Sequence, residues 1–159
     1  MTTLSIVVPC FNEEDVLPES ATRLSSLLQR LIHQGDVSAD SKIYFIDDGS
    51  KDATWSLIEA MNLENPHISG IKLSRNRGHQ NALLAGLLTV PGDIVISLDA
   101  DLQDDIEIIP KMLVEFQQGA EIVYGVRARR TSDSFFKRFT AQRYYQLLSY
   151  FDIDIIPDH

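Results

Sequence analysis

Short apolar runs and helical stripes alternate along this chain, with a polar break after almost every one. Leu4-Ser5-Ile6-Val7-Val8 is rich in β-branched residues and predicts a buried strand stopped by Pro9. After the polar loop Phe11-Asn12-Glu13-Glu14, Pro18 suits the first turn of a helix. Leu24, Leu27, Leu28 and Leu31 then recur at helical spacing until Gly35. Ile43-Tyr44-Phe45-Ile46 predicts a second strand ending in Asp47-Asp48-Gly49-Ser50, with Ser50 or Asp52 placed to cap a helix that carries Trp55, Ile58 and Met61. Gly70-Ile71-Lys72-Leu73 is a third strand, followed by the polar stretch Ser74 to Gln80 and a helix through Leu83, Leu84 and Leu87. Ile94-Val95-Ile96-Ser97-Leu98 reads as the central strand and delivers Asp99 and Asp101 at its end. A helix entered at Pro110, with Leu113 and Phe116, and a strand over Glu121-Ile122-Val123-Tyr124 complete the pattern.

Strands that are apolar throughout, separated by helices, predict an α/β fold: a mainly parallel sheet with helices on both faces. Ligands of such sheets sit beyond the carboxyl ends of the strands. The polar clusters Asn12-Glu13, Asp47-Asp48, Arg75 to Gln80, Asp99 to Gln103 and Arg127 all fall at that end. Their convergence on one rim points to a site.

Asp99 and Asp101 carry its most specific chemistry. Residues i and i+2 of an extended chain face the same side, so both carboxylates can address one point. Two hard oxygen donors suit Mg²⁺ or Mn²⁺, commonly held by one or two carboxylates plus substrate phosphates. Gln103 continues the phase and adds a neutral oxygen. The plainer alternative is that these acids cap the next helix or face solvent.

Composition narrows the field. With 159 residues, 44% of them hydrophobic, the chain can bury one core. A net charge of -9 argues against a nucleic-acid partner, which needs a basic face, but not against phosphates escorted by a metal. Cys10 is the only cysteine, so no internal disulfide forms; it is expected to be a small buried apolar residue. The N-terminus shows no signal peptide, and no run is long enough to span a bilayer, so the chain as given is expected to be soluble.

The clusters, taken in order, resemble the inverting glycosyltransferases of family 2, with the GT-A nucleotide-sugar fold. Pro9-Cys10-Phe11-Asn12-Glu13-Glu14 is similar to the family's P-x-[YF]-N-E-E, and Asp47-Asp48-Gly49-Ser50 to its D-D-G-S. Arg75-Asn76-Arg77-Gly78 matches R-N-x-G, and Asp99-Ala100-Asp101-Leu102-Gln103 matches D-A-D-L-Q. The form with Gln resembles the branch of dolichyl-phosphate mannose synthase and the bactoprenol (undecaprenyl-phosphate) glucosyltransferases.

The resemblance implies that Pro9, Phe11 and Glu13 line a base and ribose pocket, with Asp48 accepting from the uracil ring N–H. Gly78 would let the backbone approach the nucleotide. Asp99 would contact the ribose or the metal, and Asp101 and Gln103 would hold Mg²⁺ or Mn²⁺ on the diphosphate. Arg127 would meet a phosphate of the donor or the acceptor. It further implies transfer of a hexose, glucose from UDP-glucose first, to a polyprenyl phosphate for cell-surface glycan modification. The full-length protein would then lie at the cytoplasmic face of the inner membrane, with homo-oligomers possible.

Plainer roles remain open beside these. Glu13 can instead cap a helix, Asp47 secure its turn, Arg75 and Arg77 form a solvated loop, His79 start a helix, and Trp55 pack on the core. Residues 1–133 are expected to form the catalytic core. Residues 134–159 would hold an amphipathic helix whose aromatic face and Lys137, Arg138 and Arg143 suit a membrane surface. The family branch usually continues with a G-D-F-R-L-like segment and membrane helices, absent here, so the chain is expected to be a truncated core. Rival classes fit less well. A sugar nucleotidyltransferase wants a Gly-rich basic loop after the first strand, a dehalogenase-type phosphatase an early D-x-D, and a dinucleotide-binding domain G-x-G-x-x-G. A nucleotide-sugar-binding fragment without transfer activity, and a family 2 transferase acting on a sugar acceptor, stay open.

Overall fold

Leu4–Cys10 forms β1, and every residue of it is buried. In the computed structural model, which describes residues 1–103 and 105–125, the chain continues through α1 (Leu17–Gln34), β2 (Lys42–Asp47), α2 (Thr54–Glu64), β3 (Ile68–Lys72), α3 (His79–Thr89) and β4 (Ile94–Ser97). A 3₁₀ turn at Ile106–Ile108 leads into α4 (Ile109–Gln117), which has its proline in the first turn. Met1–Gly119 is one compact unit; Ala120 onward belongs to a second, described only as far as Gly125.

The strands form a parallel sheet in the order β3-β2-β1-β4. Alternation in β1 and β2 splits the core between two faces. Leu4, Ile6, Val8 and Cys10, with Ile43 and Phe45, pack with the buried stripe of α1 and with Ile58, Ile109 and Leu113. Val7 and Ile46 face the other way, toward Ala82 of α3. There α3 lies so close that a Cβ on Gly86 would sit 2.6 Å from Val7 Cγ1 and 2.9 Å from Ile46 Cγ1. The expected α/β sheet with both faces covered is therefore present. Where α1 ends, Gly35 is left-handed at φ 80° and its N–H donates to the Ile32 carbonyl, while Asp36 N–H donates to Leu31, closing the orphan carbonyls.

Three expectations are corrected. Pro9 does not stop β1. The Val7 carbonyl accepts from Leu98 N–H, and the Cys10 carbonyl accepts from Asp48 N–H on the opposite side. Alternate residues of a parallel strand address alternate neighbours, so Pro9 faces the β4 side beyond the last paired residue, where no donor is needed. Ile94–Ser97 is not central but an edge strand among the described residues, which leaves Val95 exposed. Glu121–Tyr124 is not a strand: its backbone is irregular, with Ile122 and Tyr124 exposed, because a short apolar run needs a neighbouring ladder to become one.

Candidate functional site

At the carboxyl ends of β1 and β2, two polar loops are stitched together by reciprocal side-chain and backbone bonds. Asn12 N–H donates to the Ser50 hydroxyl (3.0 Å), and Lys51 N–H donates back to Asn12 Oδ1 (2.9 Å). Glu13 N–H donates to Thr54 Oγ1 at 2.8 Å. Glu14 N–H reaches Asp52 Oδ2 at 3.2 Å, while Ala53 N–H donates to Glu14 Oε2 at 2.7 Å. The start of α2 is thus served by Asp52, whose Oδ1 accepts from Thr54 N–H, and by Glu14 from the other loop. Ser50 is spent on Asn12 instead of a cap, and Asn12 itself takes a left-handed φ of 55°, which Asn tolerates. This stitching fixes the backbone that carries Phe11 and Glu13.

The two aspartates of Asp47-Asp48 divide their work. Asp47 secures the turn, its Oδ1 accepting from Ser50 N–H at 3.0 Å, while its buried Oδ2 has no partner among the described residues. Asp48 is 2% exposed and reaches across to the 75–78 loop. Its Oδ1 accepts from Arg77 N–H (2.7 Å) and its Oδ2 from Gly78 N–H (2.8 Å). The clasp brings the loop so near that a Cβ on Gly49 would lie 2.6 Å from the Arg75 carbonyl carbon. Gly78, at φ 87° and ψ 150°, occupies backbone space that is essentially glycine's own, directly before α3. Arg75 and Arg77 side chains are exposed.

Asp99 and Asp101 are both exposed, and they sit on a turn, not on a continued strand. The chain leaves β4 at Ser97 and turns: Leu102 N–H donates to the Asp99 carbonyl, and Leu102 takes φ 46°. Two anchors hold this turn. Ala100 and Leu102 are buried in the main core, and the Ser20 hydroxyl of α1 donates to the Ala100 carbonyl. The carboxylates and Gln103 are left outward, with Gln103 N–H bonded to Asp101 Oδ1 at 3.2 Å.

Two hollows open onto this rim and share Pro9 and His79. One, about 290 Å³, is lined by Pro9, Cys10, Phe11, Glu13, Asp48 and Asn76 among others. The second, about 220 Å³, is lined by Pro9, His79, Leu83, Ser97, Leu98 and Asp99. Four residues expected in a base pocket therefore converge in the first, and Asp99 closes the second. Gly78 lines neither, and a Cβ there would meet nothing within 4 Å. Its role visible in the structure is conformational. Arg127 and the 134–159 segment lie outside the described residues.

Burial pushes the Cys10 thiol pKa well up, helped by the negative Glu13 and Asp47, so it stays a neutral, buried thiol as expected. Burial also raises the Glu13 pKa, and repulsion from Asp101, Asp52 and Asp99 adds to it. That shared negative potential is what a cation would relieve. Among the described residues no three His, Cys, Asp or Glu side chains form a cage. Asp99 and Asp101 present a rim of two hard donors, which fits a Mg²⁺ or Mn²⁺ ion arriving with phosphate oxygens.

Because the folded state raises the Glu13 pKa, it holds that proton more tightly than the unfolded chain. The resulting stabilisation is complete below the ordinary glutamate range and is lost as pH rises through the elevated folded value. Glu13→Gln is therefore expected to raise Tm near pH 7 and to change it little near pH 4. Thermal melts at the two pH values check this; equal Tm values near pH 7 would remove the repulsion argument.

His79 was the residue least visible beforehand. It opens α3 as expected, yet it also walls both hollows, with Nε2 3.6 Å from Asp99 Oδ1. Spacing alone gave no signal, because Asp99 lies far along the chain. Trp55 packs on the main core with Lys72 Nζ 5.1 Å from its ring, in keeping with the packing role.

The model of Glycosyl transferase family 2 matches residues 5–157. The uncharacterized glycosyltransferase YkoT of Bacillus subtilis is 49% identical over 98% of this chain and 47% of its own length. The prophage bactoprenol glucosyl transferase homolog of Escherichia coli is 39% identical over 91% of this chain and 45% of its own. The chain thus spans just under half the length of these relatives. Among solved structures, glucosyl-3-phosphoglycerate synthase of Mycobacterium tuberculosis, in complex with Mn²⁺, UDP and phosphoglyceric acid, superposes with a TM-score of 0.56 at 23% identity, covering 92% of this chain and 51% of that one. Staphylococcus aureus TarS 1–349 gives a TM-score of 0.56 at 21% identity, covering 85% of this chain and 40% of that one.

Proposed function

The chain belongs to Glycosyl transferase family 2 and has the GT-A fold, and from that premise we propose that it transfers glucose, with inversion, from UDP-glucose to a polyprenyl phosphate such as undecaprenyl phosphate. The observation that carries the donor half is that the two hollows share Pro9 and His79 in their walls. Base and ribose fit the hollow of Pro9, Phe11, Glu13 and Asp48, and the diphosphate then runs toward Asp99. The acceptor half rests on relatives named bactoprenol glucosyl transferase, such as that of Shigella phage SfX, 39% identical over 91% of this chain.

Each residue has a stated task. Asp48 holds the 75–78 loop and offers its remaining lone pairs to the base; Phe11 supplies an apolar surface at the mouth of the pocket. Asp99, Asp101 and Gln103 would hold a divalent cation, which when bound supplies positive charge to the departing diphosphate. A phosphate monoester is largely ionised at neutral pH, its second pKa being about 6, so the acceptor needs no dedicated base. Arg127 would meet one of the phosphates, and the 134–151 segment would rest on an anionic membrane surface. Among the described residues no helix is long and apolar enough to cross a membrane.

Calorimetry of UDP-glucose with Mn²⁺ and then with EDTA tests the donor half. Affinity is expected only with the metal, since a chain of net charge -9 repels a bare diphosphate. Undiminished affinity in EDTA would sink the metal reading. A radiolabel transfer assay on undecaprenyl phosphate, using this chain beside one extended to the length of its relatives, tests the acceptor half. Donor binding without transfer by either chain would favour a nucleotide-sugar-binding fragment or a sugar acceptor.

A further inference from the structure

The hollows are linked by more than a shared wall. Asp48, under the base pocket, takes the N–H groups of Arg77 and Gly78 at 2.7 and 2.8 Å. Gly78 is thereby fixed in a conformation other residues avoid, and the next residue is His79. His79 projects between the hollows, its Nε2 3.6 Å from Asp99 Oδ1. That separation lies within ion-pair reach and just beyond hydrogen-bond length, and such contacts tighten when a site fills. Asp99 has an exposed carboxylate on a turn; no side chain hydrogen-bonds it among the described residues, and the imidazole of His79 is the group within ion-pair reach. Its orientation is left to His79.

We infer that His79 is a positioning residue that orients the Asp99 carboxylate and, through Gly78 and Asp48, couples occupation of the base pocket to cation binding at the rim. This rests on the donor-site reading above. A nucleotide pressing on Asp48 and the 75–78 loop sets the start of α3; the start of α3 sets the imidazole; the imidazole sets Asp99. By linkage, the cation must strengthen nucleotide binding by the same factor that the nucleotide strengthens cation binding. Groups that orient a metal-ligating side chain typically contribute about 10–100-fold in metal affinity. Pro9, Leu83 and Leu98 in the same wall are apolar, and Ser97, its remaining polar member, makes no side-chain hydrogen bond to Asp99 among the described residues.

The test is a coupling cycle by calorimetry on the full chain, using uridine and UDP, each with Mn²⁺ and with EDTA. Uridine carries no phosphate to hold the metal, so its response to Mn²⁺ reports the coupling of base pocket to cation; the ratio of UDP affinities with and without Mn²⁺ reports cation binding at the rim. His79→Ala is expected to cut the Mn²⁺-dependent gain for UDP by about tenfold and to remove any effect of Mn²⁺ on uridine, while uridine affinity itself, whose pocket His79 helps to wall, falls by a smaller factor. His79→Gln, which can still donate to Asp99, should restore much of that gain. An undiminished gain in His79→Ala would overturn the inference. So would an equal loss for uridine and UDP, since that is the mark of general structural damage. If the unaltered chain bound UDP equally with Mn²⁺ and with EDTA, the donor-site reading would fall first, which the variants cannot mimic.

Discussion

Asp48→Ala is expected to lower the unfolding free energy by about 3 kcal/mol and to weaken UDP binding together with it. Removing this carboxylate leaves the Arg77 and Gly78 N–H groups without their partner, and a hydrogen bond to a charged group contributes about 1.5–3 kcal/mol. The lower end suits groups that are only partly buried. Gly78 then loses what holds it at φ 87°, so the loop and the start of α3 should loosen together. Chemical denaturation gives the stability loss, and hydrogen exchange at Gly78 and His79 localises it. Asp48→Asn separates clasp from charge: its one carbonyl oxygen can keep one N–H, while its amide faces the other. A variant that kept full stability but lost UDP affinity would show Asp48 to be a base contact alone. Unchanged UDP affinity in a destabilised Asp48→Ala would show it to be a clasp alone.

Much of this arrangement was legible because it is local. Leu24, Leu27, Leu28 and Leu31 mark the buried stripe of α1, and Gly35 closes it, since helix periodicity and a left-handed stop are properties of neighbouring residues. The apolar strands implied a parallel sheet, and the sheet implied the rim on which Pro9, Phe11, Glu13, Asp48 and Asp99 meet. What was not legible depends on residues brought together from afar. Pro9 continues β1 because β4 ends early beside it, a fact of register and not of proline. Asp99 and Asp101 were expected to face one point through strand alternation, but β4 ends at Ser97, before either of them. A turn pinned by Leu102 and by Ser20 of α1 presents them, and no pattern within residues 94–105 announces that anchor. Glu14 serving α2 and His79 facing Asp99 are likewise pairings across loops.

Asp101→Asn is expected to remove most of the Mn²⁺-dependent UDP affinity, on the order of a hundredfold, while slightly raising Tm near pH 7. The two effects share one cause. Asp101 contributes a negative charge to a rim where Glu13 already feels repulsion from Asp101, Asp52 and Asp99. At an effective dielectric of about 20, a unit charge pair at 4 Å is worth about 4 kcal/mol, so losing one charge beside a divalent ion readily accounts for two decades. The same loss relieves Glu13 in the absence of the ion. Asparagine keeps the shape and can still accept from Gln103 N–H through Oδ1, so the turn is not the casualty. Calorimetry with Mn²⁺ and with EDTA reads the first effect, and thermal melts without metal read the second. A folding defect would lower affinity and Tm together, and the opposed signs exclude it. Equal Mn²⁺ dependence in Asp101→Asn and the unaltered chain would remove Asp101 from the cation site and leave Asp99, oriented by His79, to carry it.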